Sequence, residues 1–166
     1  MKRLLTVLSL LIMTVSAYAQ LNVVSTGSKP LYKDAWCTLK FEEGNYVITS
    51  VDKIQRTSKV IEFHIGDSVD GAKATINDLI AWMNYAQPKT SISFVDSISN
   101  EELTLYCHKK NLFILTNGSA EYAKEAYTMN AMAMMVGTPA HKTQPDAPII
   151  GYLNVKFLQK ALTVLE

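Results

Sequence analysis

The sequence predicts an α+β domain: an antiparallel sheet of about six strands, two helices on one face and a C-terminal helix, in the order βββα-βββα-α. Three observations carry that prediction. Lys59 to Ile65 alternates, with Ile61, Phe63 and Ile65 on one side and Val60, Glu62 and His64 on the other, the pattern of a half-buried strand. Ile76, Leu79, Ile80 and Met83 then recur at i, i+3, i+4 and i+7, which is one face of a helix. The same switch from strand to helical period returns in the second half. The two halves share that order but no residue-level identity.

Residues 1–19 read as a secretory signal. Met1-Lys2-Arg3 is basic, Leu4 to Val15 is a short apolar run, and Ala17-Tyr18-Ala19 is a small-x-small cleavage site. The run falls short of the roughly 20 residues that span a bilayer. Gln20 follows the cut, so a lipid-modified Cys is not expected there. The expectation is an exported protein, periplasmic or secreted, with residues 20–166 as a single domain that has no transmembrane segment. A chain of this size buries enough surface to fold without a metal or a disulfide.

Residues 20–33, with Ser25, Gly27, Ser28 and Pro30, read as an irregular leader. Trp36 to Phe41 alternates and forms the first strand. Glu42-Glu43-Gly44-Asn45 turns the chain, and Tyr46 to Val51, continuing toward Ile54, is the second strand. After the third strand, Gly66 to Gly71 breaks the pattern. A helix follows over about 72–86, with Asp70 or Thr75 as its cap, Thr75 and Asp78 forming a capping-box variant, and Pro88 ending it. Ser91 to Val95, Leu103 to His108 and Leu112 to Thr116 are the next three strands. Ser119 is an N-cap for a helix over 120–136, which Gly137 stops. Pro139, Pro145 and Pro148 make 138–148 a loop. Val155, Leu158, Leu162 and Leu165 then place a last helix between Asn154 and Leu165.

Losing Lys2 and Arg3 takes the 16 basic residues to 14 against 15 acidic ones, one negative unit with His neutral. So even a balance leaves no electrostatic footprint for nucleic acid and no polybasic segment for an anionic membrane. Export permits a bridge between the two cysteines, Cys37 and Cys107. Closing that loop would stabilise by roughly 4 kcal/mol. Two buried free thiols fit the spacing equally well. Both cysteines fall on inward faces, so a bridge would be structural.

No catalytic motif stands out. There is no G-x-S-x-G, no phosphate loop and no metal spacing such as H-E-x-x-H. Cys107 and His108 are neighbours on a strand and point to opposite faces, so they cannot form a dyad. Gly66 to Gly71 carries two Asp that would repel phosphate, and it lacks EF-hand spacing. The sequence therefore points to no cofactor and no metal, and leans away from an enzyme. The leading reading is a non-enzymatic binding or interaction module for a protein or a small ligand. Its candidate surface is the outward sheet face carrying His64, Tyr106 and His108 with Glu62. The alternatives are a small hydrolase or metal-dependent enzyme built on His64, His108 and Glu62, and a subunit of an envelope assembly. His141 is expected to be solvated in the proline loop. Met132, Met135 and Val136 take core-facing spacing, while Met129 and Met134 are candidates for an exposed patch. Asn117-Gly118-Ser119 matches a glycosylation sequon, but turn and cap explain it. Asp67-Ser68-Val69 and Asp96-Ser97-Ile98 are triplets of a kind some exported bacterial proteins glycosylate.

Overall fold

Eight strands and three helices make up the computed structural model, which describes residues 29–52, 59–96, 98–136 and 147–166. The signal segment, the continuation toward Ile54 and His141 lie outside these residues. The strands are β1 (Tyr32–Lys33), β2 (Cys37–Glu42), β3 (Asn45–Val51), β4 (Val60–Gly66), β5 (Ser91–Val95), β6 (Glu102–Lys109), β7 (Leu112–Thr116) and β8 (Ile150–Leu153). The helices are α1 (Val69–Tyr85), α2 (Ala120–Val136) and α3 (Val155–Val164). The α+β class and all six expected strands are present. The single six-stranded sheet is not: the strands divide into two antiparallel four-stranded sheets, β1-β2-β3-β4 and β5-β6-β7-β8.

Local chemistry sets most of these boundaries. Glu43 and Gly44 both take positive φ, so a two-residue turn pairs Glu42 with Asn45 and joins β2 to β3. Helix α1 starts three residues earlier than expected because Ser68, not Asp70 or Thr75, is its N-cap, its hydroxyl accepting from Gly71 N at 3.3 Å. Gly66 turns the chain from β4 into that helix at φ 153, and a Cβ there would sit 2.7 Å from Ala72 N. Ser119 caps α2 through Tyr122 N at 3.1 Å, and Asn154 caps α3 through Phe157 N at 2.8 Å.

The inner faces of both sheets share one core with α1 and α3. Leu39, Ile48, Ile61 and Phe63 come from the first sheet, and Leu103, Leu105, Phe113, Leu115 and Leu153 from the second. Ala72, Ile76, Leu79 and Met83 supply the α1 stripe; Phe157, Leu158 and Ala161 supply that of α3. Strand β8 lies against β3 at the join. Tyr152 O there accepts the Ser50 hydroxyl at 2.8 Å and the Cys37 thiol at 3.0 Å.

The two long helices do not share a face. Helix α2 covers the far side of the second sheet, where Tyr106, Ile114, Ala123 and Ile150 form a smaller cluster. The reason is that β6 and β7 carry large side chains on both faces: Leu105 and Phe113 point to the main core, while Tyr106 and Ile114 point away from it and must be covered too. The first sheet keeps a wet face, on which Lys40 pairs with Glu42 and, at 3.0 Å, with Glu62. Met132 and Met135 correct the core reading of α2: they are 61% and 88% exposed, like Met129 at 51%. The helix meets the sheet through Ala123, Ala126 and Tyr127 instead.

Cys37 and Cys107 are both free and both buried. Each thiol contacts different backbone carbonyls, Cys37 that of Tyr152 and Cys107 those of Lys109 and Ala86, so no bridge joins the sheets. Burial, with the charge of Asp34, pushes the Cys37 thiol up to about 12.

Candidate functional site

The four residues proposed to share a surface are spread over three environments. Glu62 is exposed on the wet face of β4, accepting from Lys40 Nζ at 3.0 Å and from the Thr49 hydroxyl at 3.1 Å. Tyr106 is 4% exposed beneath α2, and burial, with the charges of Cys107 and Glu121, raises its pKa. His108 also faces α2. It sits where the β6–β7 register shifts between Cys107 and Lys109, its ring centroid 4.0 Å from that of Tyr127. Burial and the neighbouring Lys109 lower its pKa, and its Nδ1 is buried without a hydrogen-bond partner. His64 belongs to the other sheet. Among the described residues no group of three His, Cys, Asp or Glu is placed to hold a metal.

His64 instead meets a residue that was not proposed for the site. Strand β4 is an edge of the first sheet and β5 an edge of the second. Asp96 follows β5 directly, and its carboxylate reaches across to β4. Oδ2 accepts His64 N at 2.7 Å and His64 Nδ1 at 3.0 Å; Oδ1 accepts Ile98 N at 2.8 Å and Ser99 N at 3.0 Å. The residue is 3% exposed. Burial alone would raise its pKa. The N–H groups of Ser99, His64 and Ile98 and the imidazole outweigh that and hold it at about 2. The carboxylate therefore stays ionised and fixes the ring, with Nδ1 toward Asp96 and Nε2 left for another partner.

A cleft of about 450 Å³ opens between the β4 and β5 edges and α1. Phe63, Ile65, Leu79, Ile92 and Phe94 line its apolar part, with Phe63 and Phe94 edge to face at 5.9 Å. His64, Asp96, Thr75 and Asp78 supply its polar groups. An apolar cavity with a few converging polar groups and a strongly shifted carboxylate is the usual form of a small-molecule site. Sequence reasoning met three of these polar residues in other roles: Asp96 in a Ser triplet, Thr75 and Asp78 in a capping box. The available signal was an Asp immediately after a strand, where a short side chain turns the backbone. Nothing in the spacing showed that it faces a strand of the other sheet.

Comparison with known proteins adds no relative: no family model, curated protein or solved structure matches this chain.

Proposed function

We propose that this chain is an exported binding module whose β4–β5 cleft takes a small amphipathic ligand, an apolar body with one hydrogen-bonding head. The observation that carries the reading is the His64–Asp96 pair at the mouth of an apolar cavity. An imidazole fixed by a buried carboxylate presents one oriented nitrogen to the ligand head, while Phe94, Leu79 and Ile92 face its body. Export comes from the signal pattern of residues 1–19. Among the described residues no helix is long and apolar enough to cross a membrane.

N-phenyl-1-naphthylamine, uncharged, with apolar rings and one N–H, is a suitable probe. The native protein is expected to enhance its fluorescence saturably. Thr75→Tyr, which fills the cleft from the half-buried face of α1, is expected to abolish the enhancement at an unchanged thermal midpoint. Equal enhancement in both proteins would place the dye elsewhere and remove the reading.

A second reading rests on the same pair. A base held by a carboxylate is the base-and-orienter part of a hydrolytic triad, and Thr75 lends the cleft a hydroxyl. It requires saturable hydrolysis of an activated ester that His64→Ala abolishes. Hydrolysis indifferent to that change leaves the binding module alone.

A further inference from the structure

On the other side of the second sheet lies a cavity of about 500 Å³ of opposite character. Its floor comes from strand alternation. Ile92 and Phe94 of β5 face the core, so Ser91 and Ser93 face outward. Ser93 pairs with Thr104 across the ladder, and Val95 with Glu102. Helix α2 packs over Tyr106, Ile114 and Ile150, leaving the outer face of β5 open. The first turn of the helix, with Ser119 and Glu121, forms the wall.

The lining is selective by its chemistry. Four hydroxyls, on Ser91, Ser93, Thr104 and Ser119, stand with two carboxylates, on Glu102 and Glu121. Thr104 is 6% exposed, and its hydroxyl lies 3.4 Å from that of Ser93. The lining contains no Lys, Arg or His, so phosphate or sulfate would meet two negative charges with no counter-charge. An apolar ligand would cut the two carboxylates and the Ser91 hydroxyl off from water with nothing in exchange. A divalent cation is held tightly by several charged oxygens, and among the described residues no group of three His, Cys, Asp or Glu is placed to hold one. A neutral polyhydroxylated molecule answers all three constraints. Each of its hydroxyls can donate to a carboxylate and accept from a Ser or Thr hydroxyl. The volume lies within the range of roughly 300–1,000 Å³ usual for small-molecule sites.

We propose that this cavity is a saccharide subsite, distinct from the β4–β5 cleft and independent of what that cleft binds. The test is amide-detected NMR on the full chain, titrated with glucose, galactose and N-acetylglucosamine, with calcium chloride and sodium phosphate as competing probes. At least one sugar is expected to move the amides of Ser93, Thr104, Ala120 and Glu121 saturably. Thr104→Val, which keeps the buried shape, and Glu121→Gln, at the surface, are each expected to weaken it about tenfold. Thr75→Tyr in the cleft is expected to leave it unchanged. The proposal is overturned by the absence of saturable movement with all three sugars, by saturation with calcium or phosphate instead, or by sugar binding that both cavity variants leave intact.

Discussion

Asp96 is buried where the edges of the two sheets meet, with both carboxylate oxygens engaged. It closes its own turn, caps the free N–H of an edge strand and orients an imidazole, all with one buried carboxylate. Capping His64 N also removes one backbone group from an edge that another chain could otherwise pair with. Its pKa is depressed from 3.8 to about 2. A depressed carboxylate contributes stability that is present above its unfolded pKa and lost as pH falls through the folded one. A shift of that size corresponds to about 2 kcal/mol. Asp96→Asn, which turns an NH₂ toward donors, is therefore expected to cost about 2 kcal/mol at pH 7. Urea denaturation of both proteins between pH 7 and pH 2 checks this. The gap should hold down to about pH 4 and shrink toward pH 2; a gap independent of pH would show that the charge is not what stabilises the turn.

At the scale of elements, regular periodicity was legible and irregular burial was not. The stripe of Ile76, Leu79 and Met83 located α1, and Ser119 located the start of α2, because caps and helical spacing are local chemistry. The covered face of α2 was not legible: its contacts run through Ala123, Ala126 and Tyr127, and small residues give little contrast beside four methionines. Strand β8 escaped because four residues just past Pro148, one of them Gly151, carry no alternation. The division into two sheets escaped because period two says which way a side chain points, not which strand lies alongside. The candidate site failed to be read for the same reason, since His64 and Asp96 meet across a gap of 32 residues. Gly151 offers a test of the join. A Cβ there would lie 2.7 Å from Ser50 Cβ and 3.1 Å from Ile61 Cγ2, in backbone of ordinary φ. Gly151→Ala is expected to cost about 1–3 kcal/mol by overpacking, read from the urea midpoint. An unchanged midpoint would mean that β8 does not press on β3.

For the whole molecule, two sheets and two helices around one core make cross-linking unnecessary. With both thiols free and buried, the thermal midpoint is expected to be the same with and without dithiothreitol. Ellman's reagent is expected to find no reactive thiol in the native protein and two in urea. A midpoint that falls on reduction would instead reveal a bridge. The place of β8 and α3 in that core has a consequence for biosynthesis. Leu153, Phe157, Leu158 and Ala161 pack against residues as early as Cys37 and Leu39. Until residues 150–165 have left the ribosome, seven strands and two helices lack part of the layer that buries them. Core closure is therefore an event of the finished chain, with the last sixteen or so residues acting as its keystone.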